Sequence, residues 1–181
     1  MIICAGNNET FNFAQPMGVG LIETAMNLTR LCLFDKPEFI LFVGSAGSYG
    51  EAKIFDIIES KTASNIELSF LSNDAYTPLD NVVSTNETNQ KDIVVNSSNY
   101  ISTNKELSKN FLKFDVGIEN MEFFSVLKIA EEFDVPAGGV FCVTNFTDKN
   151  AHEDFLKNHE KAKELLGIHV KRRIKELTSR S

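Results

Sequence analysis

The chain reads as an α/β protein on three observations. Short apolar runs of strand length recur at Ile2–Ala5, Phe39–Val43, Ile54–Glu59, Ile93–Val95 and Gly138–Val143. Segments of helical spacing or polar composition separate them. The 181 residues, 43% of them hydrophobic, suffice for one substantial core and are too few for two comfortable ones, so a single domain spanning 1–181 is expected.

Taken in order, the first apolar run supplies an N-terminal strand. Leu21–Leu33 places Leu21, Ile22, Ala25, Met26, Leu28 and Leu33 on nearly every helical face, which predicts a mostly buried helix ending before Pro37, with Arg30 inside it as an ion-pair partner or a snorkelling side chain. The strand at Phe39–Val43 runs into "FVGSAGSYG", where small residues predict a tight turn. Such a turn lets backbone N–H groups approach an anion or polar ligand, yet it lacks the Gly-Lys-Ser/Thr of a nucleotide loop, so a structural turn and a ligand loop both stay open. Between Asn81 and Asn110 the composition shifts to Asn, Ser and Thr, predicting an irregular connection around the strand at Ile93–Val95.

The segment "GIENMEFFSVLKIAEEFDVP" has helical spacing that aligns Glu122 with Val126, Ile129 and Phe133. A carboxylate heading an apolar stripe either serves the first helical turn or needs a partner or ligand. The run from Gly138 to Val143 leads within four residues to Thr147-Asp148. Asp148 there is either a turn or cap residue, or it stands in the crevice beyond the strand ends where open α/β sheets hold ligands. A last helix, opening at Asn150, carries Ala162, Leu166, Val170 and Ile174 as a packing stripe.

A net charge of -7 argues against nucleic acid or an anionic membrane as partner, because both call for a basic field. The basic stretch "KRRIK" (Lys171–Lys175) falls in the last turns of the terminal helix, where cations suit the negative end of the dipole. Cys4, Cys32 and Cys142 are odd in number, widely spaced and set among apolar residues, which predicts core thiols in a reducing, cytoplasmic compartment. The N-terminus lacks the basic and long apolar regions of a signal peptide, and no run approaches a membrane span. His152, His159 and His169 lack metal-ligand spacing and read as exposed helical histidines, so neither a metal nor a cofactor is expected.

Six segments in order resemble the purine nucleoside phosphorylase and methylthioadenosine/S-adenosylhomocysteine nucleosidase superfamily. "GVGLIETAMNLTRL" looks like that family's "GIGKVNAA", "GSAGS" its "GSAGG" loop, and "KIFDIIES" its "KVGDIVVS". "NSSNYI" is similar to the base-site segment "SGDxFI", "ENMEFFSVLKIA" to "VEMEGAAIAQVA", and "FCVTNFTD" to "xVRAISD". The resemblance implies a three-layer phosphorylase/hydrolase-like fold, with a mixed central sheet flanked by helices, in a homo-oligomer that is most simply a dimer.

It also implies roles. Asp148 matches the acid that protonates purine N7, with Thr147 in the place of a neighbouring serine. Glu122 matches the glutamate holding the ribose hydroxyls, Met121 the methionine beneath the sugar, and Tyr100 the aromatic stacked on the base, with Ile101 beside it. Ser45 falls in the loop facing the nucleophile, and Glu9 aligns with the acid that orients the attacking water. The residue types suit the chemistry: breaking an N-glycosidic bond puts positive charge on the sugar and negative charge on the departing purine, so carboxylates stabilise the first and an acid neutralises the second.

Some positions depart from the family. Strands between the first strand and "GVG" are expected to be missing, Phe123 and Phe124 replace small residues and would crowd the site, and Thr144 replaces a frequent arginine. Arg30 is the only arginine before Arg172, and a phosphate co-substrate calls for concentrated positive charge. The expectation is therefore hydrolytic release of a purine base from a nucleoside. A phosphate-dependent phosphorylase and a catalytically weakened nucleoside-binding member are the alternatives.

Overall fold

The computed structural model describes residues 1–85 and 92–179 and, at 177 and 178, the backbone alone. Part of the expected irregular connection, residues 86–91, lies outside the described residues. In chain order the elements begin with β1 (Ile2–Cys4), β2 (Gln15–Pro16), α1 (Gly20–Asp35), β3 (Ile40–Ser48), β4 (Ile57–Ser60) and β5 (Thr62–Ser64). They continue with α2 (Leu68–Leu71), β6 (Val82–Ser84), β7 (Val94–Ser97), α3 (Lys105–Ser108), a 3₁₀ segment at Lys109–Phe114, β8 (Val116–Asn120), α4 (Phe123–Glu132), β9 (Ala137–Phe146) and α5 (Ala151–Thr178).

Among the described residues, nine strands join one mixed sheet running β2-β1-β3-β8-β7-β5-β6, with β9 between β3 and β4. β3 and β9 are parallel neighbours over their full lengths, from Ile40↔Ala137 to Ser48↔Phe146, with a register shift between Ala46 and Gly47. The two are buried along nearly every position, as expected of parallel strands covered on both faces. α1 and α4 cover one face over a core that includes Leu28, Phe42, Phe123, Leu127 and Phe141. α5 covers the other through Ala162, Leu166 and Val170, which meet Val43, Val140 and Cys142. Helix, sheet and helix therefore form three layers.

Several expectations need correction. A two-residue strand, β2, does stand between the first strand and "GVG", parallel to β1. "GSAGS" is no turn but the second half of β3: its glycines leave space that neighbours fill, since a Cβ on Gly47 would stand 3.0 Å from Asn145 Nδ2 and 3.1 Å from Glu119 Cγ. α1 is half exposed rather than mostly buried. Thr24, Leu28, Leu31 and Cys32 face inward, while Ile22 (67% exposed), Met26 (63%) and Leu33 (53%) share the outer face and Arg30 is exposed. The stripe on α5 ends at Val170, because Ile174 is 45% exposed. Phe123 does not crowd any cleft; it lies in the core, with ring centroids 5.0 Å from Phe141 and 6.2 Å from Phe42.

Candidate active site

The site opens where the sheet divides. β9 occupies one edge of β3 throughout, but the opposite edge is shared: β1 pairs with Leu41 and Phe42, and β8 with Gly47 and Ser48. Backbone groups between those contacts have no strand partner on that side, and buried polar groups need one. Side chains supply it at Ser45, whose N–H donates to Glu9 Oε1 at 2.7 Å and whose carbonyl accepts from Asn120 Nδ2 at 3.1 Å. Glu9 reaches this position through a tight reversal after β1, in which its N–H donates to the Gly6 carbonyl at 2.9 Å and Asn7 takes a left-handed φ of 52°.

A cavity of about 260 Å³ fills the gap, near the lower end of small-molecule sites. Its lining brings together Glu9, Ser45, Tyr100, Ile101, Met121 and Glu122, six of the eight residues singled out from the sequence. Glu122 does not ride on a helical stripe. It sits at the N-cap position of α4, nearly fully buried, and its Oε1 accepts the Gly20 N–H at the head of α1 at 2.8 Å. Gly20 has φ +81, and a Cβ there would meet Asn99 Oδ1 at 2.7 Å, so the close approach depends on glycine. Asn99 Oδ1 accepts the next N–H, that of Leu21, at 2.9 Å. The first two N–H groups of α1 are thus held by a carboxylate and an amide from elsewhere in the chain.

Burial pushes the Glu122 carboxyl up to about 7; the Gly20 N–H partly counters this and the nearby Glu9 charge reinforces it. Glu9 is raised as well, again by burial, with hydrogen bonds from Ser45 acting against it. Glu119 is a third carboxylate in the lining. Among the described residues lining the cavity none is lysine or arginine. When ionised, these carboxylates favour a ligand that develops positive charge and disfavour an anion.

Asp148 and Thr147 are not in the lining. Thr147 is buried, and both its N–H (3.1 Å) and its hydroxyl (3.3 Å) donate to the Ser48 carbonyl. Asp148 is half-buried at the start of α5, where Oδ1 accepts the Asn150 N–H at 2.8 Å and its carbonyl accepts that of Ala151 at 3.0 Å. Its chain neighbours Asn145, Ala151 and His152 do line the cavity. His152, read as an ordinary exposed helical residue, is exposed but stands at the cavity.

Sequence reasoning passed over Asn120, Asn99, Glu119 and Phe155. Asn120 had a local signal, an Asn three residues before the apolar run of α4. Its Oδ1 accepts the N–H groups of Glu122 (2.8 Å) and Phe123 (3.0 Å), the arrangement of a helix cap. Asn99 and Glu119 had none, since their partners lie far away in the chain.

A three-layer α/β fold with a carboxylate-rich cleft at a divided sheet defines a class of proteins that handle small polar ligands. The sequence matches the family profile described as the phosphorylase superfamily over residues 2–175, and the chain belongs to that superfamily. No curated protein sequence matches significantly. Among solved structures, the fold is similar to that of 5′-methylthioadenosine/S-adenosylhomocysteine nucleosidase from Helicobacter pylori with butyl-thio-DADMe-Immucillin-A bound, at a TM-score of 0.77 and 20% identity over 90% of this chain and 79% of that one. The native futalosine hydrolase of H. pylori gives 0.77 and 20% over 90% and 78%. The S. pneumoniae methylthioadenosine/S-adenosylhomocysteine nucleosidase with a transition-state inhibitor gives 0.72 and 12% over 92% and 94%.

Proposed function

We propose that the protein is a single-domain hydrolytic nucleosidase that cleaves the N-glycosidic bond of a purine nucleoside and releases the free base. The observation that carries this reading is the Glu9–Ser45 bond. A backbone donor of "GSAGS" that could meet an anion, the Ser45 N–H, is already held by a carboxylate, and Glu122 and Glu119, when ionised, add negative charge around the same cavity. Phosphate would meet repulsion there, whereas water would meet a base.

In this reading water attacks C1′ of the ribose and gives a proton to Glu9. Glu122, in the ionised form it takes above its raised value of about 7, grips the ribose hydroxyls and stabilises the cationic sugar as the C1′–N9 bond breaks. The electron pair of that bond passes to the purine, and Asp148 supplies the proton that N7 takes up. Tyr100 and Ile101 flank the base and Met121 the sugar. Asp148 lies outside the cavity lining and its Oδ1 accepts the Asn150 N–H, so in this reading the acid reaches N7 by exchanging that bond for the base and turning toward the cavity. Atoms balance as nucleoside plus water giving base plus free sugar.

A homodimer in a reducing cytoplasm completes the proposal. The outer face of α1, with Ile22, Met26 and Leu33 exposed, is an apolar surface of the kind subunit contacts cover, and Cys4, Cys32 and Cys142 are free thiols, all buried.

The test is base release from adenosine, inosine, guanosine, methylthioadenosine, S-adenosylhomocysteine and futalosine, each with and without phosphate. At least one should be cleaved without phosphate, and Asp148→Asn should lower turnover about 10²–10⁴-fold with the fold intact. Cleavage of none, with nucleosides still bound, would favour a binding protein.

A further inference from the structure

Glu119 is a cavity-lining carboxylate that the proposed chemistry does not use. It stands on β8 opposite Gly47 of β3, at the position where the family segment quoted above has valine. Its Oε1 accepts the Ser102 N–H at 3.0 Å and its Oε2 the Tyr49 hydroxyl at 3.0 Å. Tyr49 is itself buried and stacked on Phe111, with ring centroids 4.2 Å apart, so the carboxylate is fixed from behind by a rigid donor. Ser102 follows Tyr100 and Ile101, which places Glu119 on the side of the cavity where the base is read to lie. Two donors already satisfy one lone pair on each oxygen, and the remaining lone pairs can only accept. Burial raises the Glu119 carboxyl, with the Ser102 and Tyr49 bonds acting against it; a further donor from a ligand would offset that cost.

We propose that Glu119 determines base specificity: it accepts the N1–H of a 6-oxopurine, and so selects hypoxanthine- or guanine-type nucleosides over adenine types, whose N1 is itself an acceptor. Guanine adds a second donor, its 2-amino group, for the other oxygen. This rests on the nucleosidase reading of the cavity, and in particular on the base side being that of Tyr100 and Ile101.

Equilibrium titration of hypoxanthine and adenine against the wild type, Glu119→Gln and Glu119→Val tests it without requiring turnover. The glutamine variant can keep both local bonds, accepting from Ser102 and donating to the Tyr49 oxygen, and a thermal transition verifies its fold. Hypoxanthine should bind the wild type about 10- to 100-fold more tightly than adenine, the range for a hydrogen bond to a charged group. The preference should collapse in both variants, and the inosine-to-adenosine ratio of kcat/KM should fall with it. Equal or tighter adenine binding to the wild type, or an unchanged ratio in the variants, would overturn the assignment. If adenosine is cleaved as readily as inosine, Glu119 loses its role while the nucleosidase reading stands; if no base binds and no nucleoside is cleaved, both fall.

Discussion

Glu122 joins two demands in one side chain. Its carboxyl is raised to about 7 from 4.5, by burial first and by the Glu9 charge as well, so between those values the folded protein holds more protons than the unfolded chain. Stability must therefore be greatest at the acid end of that window and fall as pH rises through it, by on the order of 1 kcal/mol per pH unit. Glu122→Gln keeps an acceptor for the Gly20 N–H and removes the titration. Denaturant unfolding from pH 5 to pH 8 should show the decline in the wild type and a flatter profile in the variant; parallel profiles would show that Glu122 is not the group responsible. At this scale the sequence was informative about residues whose type announces chemistry. Glu9, Ser45, Met121 and Glu122 stood out in short motifs and meet in one cavity. Glu119 remained hidden because its meaning comes from Tyr49, 70 positions away.

At the scale of elements, the division of the β3 edge between β1 and β8 creates the site, and Asn120 holds the division in place. One side chain caps α4 through two N–H groups and ties the Ser45 carbonyl across the gap. Asn120→Ala should lower the free energy of unfolding by about 1–3 kcal/mol, the range for a lost cap and an unpaired buried carbonyl. It should also weaken base release, since one of the two capped N–H groups is that of Glu122. A loss within experimental error would mean that water or a shifted chain replaces the amide. The strands at either end of the chain were legible from apolar runs, but β8 was not. "VGIEN" mixes glycine and polar residues because its C-terminal end lines the cavity, and the run into "MEFF" has helical spacing, so local pattern favoured the helix. β3 and β9 extend past their apolar portions for the same reason: Ser45, Gly47, Thr144 and Asn145 are small or polar where the cavity begins, and pairing of β3 with β9 and, at Gly47, with β8 keeps them extended.

For the whole molecule, three of the acidic side chains, Glu9, Glu119 and Glu122, converge on one cavity without a lining lysine or arginine among the described residues. The apolar outer face of α1 was misread as buried because a sequence does not distinguish a helix packed inside its own chain from one that presents an apolar face outward. If that face joins two copies, light scattering should give twice the chain mass of 20.2 kDa, and Met26→Asp should reduce it to the monomer; a monomeric wild type would remove the dimer. In the proposed reaction water, not phosphate, attacks the sugar. The most direct test is turnover of a cleaved nucleoside in ¹⁸O-labelled water with phosphate in excess, followed by mass spectrometry of the sugar quenched before anomeric exchange. Free ribose carrying the label at C1′, at a rate independent of phosphate, is the expected result, and ribose 1-phosphate without label would contradict it.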